Sequence, residues 1–164
     1  MAWKYTSEVF QISAGVVETV LNTFAETTIN LNLDSLSREI LVIQYADLDV
    51  YPADLVAGFA TTTGANLSDN TQTVLSTLAS SRVIATASSI VEYDGVAAVI
   101  SSSQDPVFGN YGDSPLFITA TDNLYLSVKS NGNAQLKNAQ VRIWARRARA
   151  DADTYAAILT SQFN

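Results

Sequence analysis

Apolar residues in this chain fall in short runs with a period of two, closed by polar or glycine-bearing breaks, and that spacing constrains the fold toward strands more than any other feature. In Thr28-Ile29-Asn30-Leu31-Asn32-Leu33 the three aliphatic residues share one face and the polar residues the other, which predicts a half-buried strand. Residues 39–51 are apolar on both faces from Ile40 to Ile43. They then place Ala46, Leu48 and Val50 on one face and Asp47 and Asp49 on the other, as expected of a long strand passing from a covered region to an exposed edge. Apolar runs at 82–87 and 89–93 meet a further run at 96–100 across Asp94-Gly95, which predicts a hairpin with a two-residue type I′ turn. Runs at 116–120, 124–128 and 140–146, with a turn at Asn131-Gly132-Asn133, predict three closing strands, either a meander or the last strands of a sandwich.

Two segments break the pattern. Within 66–81, Ser68 and Asp69 can cap a short surface helix carrying Val74, Leu75 and Leu78 at helical spacing. Residues 151–162 predict a terminal helix capped by Asp151 or Asp153 in preference to a last edge strand. Prolines, glycines and polar residues over 104–115 predict a long ordered loop around Phe108 and Tyr111. Seven or eight strands without an internal repeat or linker predict one domain over residues 1–164. Its expected class is all-β, an antiparallel two-sheet β-sandwich in the single jelly-roll form, with one or two short helices.

A chain of 164 residues buries about 70% of the surface its unfolded form exposes, so it needs no covalent staple. It contains no cysteine and no histidine, which removes disulfides, thiolate and imidazole metal sites, and every Ser-His-Asp or Cys-His arrangement. No enzymatic activity and no cofactor are expected; carboxylate-pair hydrolysis, with Asp47 and Asp49 as candidates, and serine-lysine chemistry are the classes that survive the exclusion. Asp47, Asp49 and Asp54 could also offer hard oxygen ligands to calcium, but they lack the glycine and glutamate spacing of an EF-hand, and acids on an exposed strand are ordinary edge protection. The first residues show no signal-peptide pattern and no stretch reaches membrane-spanning length, so a protein made and folded in the cytoplasm is expected.

Charge is unevenly placed. Residues 129–164 carry six cations, Lys129, Lys137, Arg142, Arg146, Arg147 and Arg149, against Asp151 and Asp153; with a total of −7, residues 1–128 hold −11. Arginines interleaved with Trp144 predict an interface formed by Arg142, Trp144, Arg146, Arg147 and Arg149, against the plainer reading of a solvated strand end. Strand alternation puts Arg142, Trp144 and Arg146 on one face and leaves Val141, Ile143 and Ala145 for the core. The aromatics Trp3, Tyr5, Tyr93, Phe108, Tyr111, Tyr125 and Trp144 could include a sugar-stacking platform, although most aromatics in a β domain are packing partners.

Residues 121–128, Thr-Asp-Asn-Leu-Tyr-Leu-Ser-Val, followed by Val141-Arg142-Ile143-Trp144-Ala145-Arg146-Arg147, resemble the closing strands of small single jelly-roll capsid proteins from tailless icosahedral viruses of microbes. The resemblance covers about a quarter of the chain and implies a subunit that tiles a closed shell, found in the virion and assembled in the host cytoplasm. Its partners would be copies of itself, with a second capsid protein left open. A strongly basic N-terminal arm is missing, which speaks against direct nucleic-acid binding. A carbohydrate-binding or adhesin-type sandwich is the alternative.

Overall fold

A computed structural model describes residues 2–103, 107–108 and 114–163. The chain forms β1 (Trp3–Tyr5), β2 (Phe10–Val17), β3 (Ala25–Asn30), β4 (Glu39–Val50), β5 (Thr61–Ser68), β6 (Val83–Tyr93), β7 (Ala98–Ser103), β8 (Val107–Phe108), β9 (Phe117–Thr119), β10 (Asn123–Asn131), β11 (Asn138–Ala150) and α1 (Ala152–Phe163). All pairings are antiparallel. In the first sheet β11 lies between β4 and the pair β1 and β2, and β4 is flanked on its far side by β8 and β9; the second sheet runs β3-β10-β5-β6-β7.

The two strand orders β2-β11-β4-β9 and β3-β10-β5-β6 interleave in sequence so that most connections cross from one sheet to the other, which is a jelly roll. The expected fold class holds. The last three strands alternate between sheets, so they close the sandwich and do not form a meander. Leu41, Ile43, Leu48, Leu67, Leu124, Leu126, Val141 and Ile143 fill the space between the sheets. A second cluster lies on the outer face of the first sheet, where Tyr155, Ile158 and Leu159 of α1 cover Ile40, Val42, Ala148 and Ala150. The cap is as expected, with Thr154 N donating to Asp151 Oδ1 at 2.8 Å.

That helix explains why β4 starts apolar on both faces: its first half is covered twice. Opposite the step from Trp144 to Ala145 the register jumps from Tyr45 to Ile43, so Gln44 is an extra residue. The bulge reverses which side chains of β4 face outward, from Ile40 and Val42 to Tyr45, Asp47 and Asp49. β4 thus runs from a region covered on both faces to one with an exposed outer face, and described strands pair its far side only over Leu41–Ile43 and Tyr45–Ala46, in keeping with a strand that passes toward an edge.

Three local expectations are corrected. Residues 66–81 form no helix: Asn66, Leu67 and Ser68 belong to β5, where Leu67 is fully buried, and Val74 and Leu78 stand exposed on the following loop. Ser, Thr and Asn propagate a helix poorly without a covered apolar face. The Asp94-Gly95 turn is wider than type I′. Tyr93 pairs with Ala98, and Asp94 Oδ1 accepts from Val96 N and Ala97 N at 2.8 Å, so only Gly95 takes a positive φ. β3 ends at Asn30, although Leu31 and Leu33 keep the alternation by burying beyond it. Of the loop expected over 104–115, residues 107–108 form β8 beside β4, and 104–106 and 109–113 lie outside the described residues. Among the described residues no helix is long and apolar enough to cross a membrane.

Candidate interaction surface

The jelly roll gathers four connections at one end: residues 18–24, 51–60, 94–97 and 132–137. Three of them are tied together by polar groups that the sheets leave buried. The Glu18 carboxylate accepts from Ser130 N at 2.9 Å and Lys137 N at 3.0 Å. Lys137, with no exposed surface, donates to Asp54 Oδ1 at 2.6 Å and to the Pro52 carbonyl at 2.8 Å, and lies 4.9 Å from the Tyr51 ring centroid. Asp54 Oδ2 accepts from Ala134 N and Gln135 N, each at 3.0 Å. Asn133 bridges the set, accepting from Asp54 N at 2.8 Å and donating to the Thr62 carbonyl at 2.8 Å. Gly132 turns the chain at φ +72°, and a Cβ there would sit 2.7 Å from the Ala60 carbonyl.

Above this polar floor the loops are apolar. Of the sixteen large hydrophobics exposed among the described residues, eleven lie at this end: Val17, Val20, Leu21, Tyr51, Leu55, Phe59, Tyr93, Val96, Val99, Ile100 and Leu136. The ionisable residues of the three tied loops, Glu18, Asp54 and Lys137, are spent inside the network, so no unpaired charge interrupts their apolar surface. Sequence reading missed this surface, because its residues come from segments up to 119 positions apart.

The five predicted interface residues divide. Arg142, Trp144 and Arg146 share the outer face of the first sheet, as alternation required. Trp144 packs on Tyr45 with ring centroids 4.3 Å apart, the Arg142 guanidinium lies 5.9 Å from the Trp144 ring, and the Arg146 guanidinium lies 4.1 Å from the Tyr5 ring. Arg142 makes no ion pair among the described residues, although Asp47 is its cross-strand partner. Arg147 and Arg149 fall on the opposite face. Arg147 ties strand ends together, donating to the Leu31 and Asn32 carbonyls at 2.8 and 3.2 Å and to Glu39 Oε2 at 2.8 Å.

The three acids weighed for calcium do not converge. Asp54 is occupied by Lys137 and two amides, while Asp47 and Asp49 project from β4, and no acid cluster able to hold a metal occurs among the described residues. Asp47 and Asp49 line an open groove of about 540 Å³ with Ser13, Gly15, Gln140 and Arg142. The aromatics are scattered: Trp3 and Tyr5 pack against the cluster of Ile40, Val42, Ala148 and Ala150, Tyr93 is on the hairpin and Trp144 is on the outer face. The side chains of Phe108 and Tyr111 lie outside the described residues.

Two aspartates have opposite electrostatics. Burial works against ionisation at Asp54, but the bond from Lys137, the amides of Gln135 and Ala134 and the Lys137 charge outweigh it and lower its pKa. At Asp69 burial dominates over Arg82, whose Nε lies 2.5 Å from Oδ1, and raises the pKa; Oδ2 has no partner. Asp54 therefore stabilises the fold above the ordinary carboxylate range and ceases to as pH falls through its lowered value, whereas acid relieves the penalty at Asp69. Carboxyl-carbon titration by NMR is expected to place Asp69 above and Asp54 below 3.8; the reverse order would contradict both assignments.

No known protein family matches the chain, and no curated protein matches it. Among solved structures, a chain of desmodium yellow mottle tymovirus is 10% identical over 88% of this chain and 90% of that one, with a TM-score of 0.30. A likeness at that level carries no argument, and the class of protein, a jelly-roll β-sandwich, rests on strand order alone.

Proposed function

We propose that this protein is a structural subunit of a self-assembling shell, of the viral-capsid kind, in which copies meet through the apolar loop end of the jelly roll. The observation that supports this reading is that eleven of the sixteen large hydrophobics exposed among the described residues lie at one end of the jelly roll, six of them, Val20, Leu21, Tyr51, Leu55, Phe59 and Leu136, on loops held by a buried polar network. A monomer rarely leaves so many large apolar side chains in water at one end, and a rigid patch loses little entropy when it is covered. Closed shells need such a patch, because each copy must offer neighbours the same surface in one fixed orientation. Jelly rolls also serve as lectins, so the fold by itself does not decide.

Electron microscopy and light scattering of the purified protein test the proposal. Particles far larger than one chain are expected, and a strict monomer at every concentration would overturn it. A carbohydrate-binding module is favoured by one observation, the open groove on the outer face of the first sheet in which the side chains of Asp47, Asp49, Gln140 and Arg142 make no hydrogen bond among the described residues. A monodisperse monomer that retains glycans on an array would support that reading instead.

Within the shell reading, Arg142, Trp144 and Arg146 meet an acidic surface of a neighbouring copy, the excess of acid in residues 1–128 supplying the complement without nucleic acid. Arg142→Glu is the selective probe, since Arg146 is stacked on Tyr5 and Arg147 is engaged within its own chain. An exposed pair contributes about 0–1 kcal/mol and is screened by salt. Arg142→Glu should slow assembly up to roughly fivefold at low ionic strength, converge on wild type in high salt, and lower the melting temperature only slightly, the new carboxylate facing Asp47 across the strands. Identical assembly rates across the salt series would reduce the patch to a solvated face.

A further inference from the structure

β7 is the outermost strand of the second sheet, and β6 satisfies one side of its ladder from Ser88↔Ser103 to Tyr93↔Ala98. No described strand pairs with the other side. Its side chains are exposed on both faces over 98–102, with Val99 and Ile100 64% and 62% exposed, and Val96 in the adjoining turn 90% exposed. Edge strands normally protect themselves with charge, proline or a bulge. Residues 95–103, Gly-Val-Ala-Ala-Val-Ile-Ser-Ser-Ser, contain neither charge nor proline, and the β6–β7 register is unbroken.

We propose that β7 pairs antiparallel with β7 of a second copy about a two-fold axis, joining two five-stranded sheets into one continuous sheet. The proposal rests on the shell reading in taking the partner to be this same chain. A homotypic pair sets each residue opposite one from the same short sequence, so any charged residue near the axis would face its like. The neutrality of 95–103 removes that obstacle, and Glu92 and Asp94 lie outside β7, on β6 and in the turn. The same pairing satisfies the open row of backbone donors and acceptors and covers Val99 and Ile100. A six-residue strand pair falls short of the roughly 1,000 Å² expected of a lone stable dimer. The contact is consequently weak alone and works together with the apolar loop end, the hairpin turn lying at the same end of the jelly roll.

The chain has no cysteine, so single substitutions Val99→Cys, Ile100→Cys, Ser101→Cys and Ser102→Cys each introduce the only thiol. Under mild oxidation, disulfide-linked dimers should form fastest at the residue nearest the axis and fall off on both sides of it. Ala157→Cys, at an exposed position of α1 on the first sheet, serves as the reference. Ile100→Lys, at an exposed position, should weaken self-association tenfold or more while the monomer melts as wild type does. Linked dimers peaking within 99–102 support the proposal even if no larger particle forms, which would leave β7 pairing standing while the shell reading fails. Wild-type particles with uniform cross-linking across these positions and no effect of Ile100→Lys would overturn β7 pairing and leave the shell reading intact. A monomer that neither cross-links nor assembles overturns both.

Discussion

Lys137→Met is expected to cost the fold about 3 kcal/mol, the lower end of the range for breaking a buried ion pair by removing one partner. Lys137 has no exposed surface, and its Nζ serves Asp54 and the Pro52 carbonyl at once. The Met side chain fills nearly the same volume, so little of the loss comes from a cavity. What remains is a carboxylate and a carbonyl facing an apolar chain. Asp54 keeps its two amide bonds and 22% of its side-chain surface in water, which holds the cost at the low end. Adding Asp54→Asn should recover part of the loss, because the amide no longer requires a cation, and the pairwise term follows from the double-mutant cycle. Urea denaturation measures both; a loss below about 1 kcal/mol for Lys137→Met would mean that the network does not hold the loop end together.

Leu55→Asp combined with Phe59→Asp is expected to raise the concentration needed for assembly roughly a hundredfold, because withholding two such side chains from an interface removes about 3 kcal/mol per subunit. Both residues are already largely in water, 69% and 64% exposed, and neither belongs to a sheet, so the fold should melt close to wild type. Each introduced carboxylate would also have to be desolvated against a neutral patch. Sedimentation over a concentration series reads the effect. Assembly at the wild-type concentration would show that the apolar loop end is not where copies meet.

Much of the architecture was legible before the structure. The alternation around Ile29, the long apolar run from Ile40, the hairpin at Gly95, the turn at Gly132 and the terminal helix at Asp151 all form close to where the pattern puts them. The missed strands are instructive. β5 reads Thr-Thr-Thr-Gly-Ala-Asn-Leu-Ser, and Thr61, Thr63, Asn66 and Ser68 are buried in it. Nothing local marks those polar side chains for burial. They are covered because β5 lies between β10 and β6, and because groups such as Asp54 O and Ser76 O accept from them. β2 is different: Phe10, Ile12, Ala14 and Val16 alternate with Gln11, Ser13 and Gly15 and pack against the core, so a period-two signal was present there and was passed over, and β11 pairs with the strand along its whole length.

The functional surface divides in the same way. Strand period by itself placed Arg142, Trp144 and Arg146 on one face, since side chains on a strand alternate whatever they pack against. Whether Arg147 joined them depended on strand parity, and its guanidinium is consumed by Leu31, Asn32 and Glu39, residues more than a hundred positions away. By itself the sequence determined the antiparallel β class, the absence of thiol and imidazole chemistry, and the uneven distribution of charge, because period and composition are properties of the chain. Only the tertiary structure decided which loops share an end. A jelly roll sends successive strands to opposite sheets and returns their connections to the same pole, so the apolar surface over Lys137 and Glu18 is assembled from residues that no local pattern brings together.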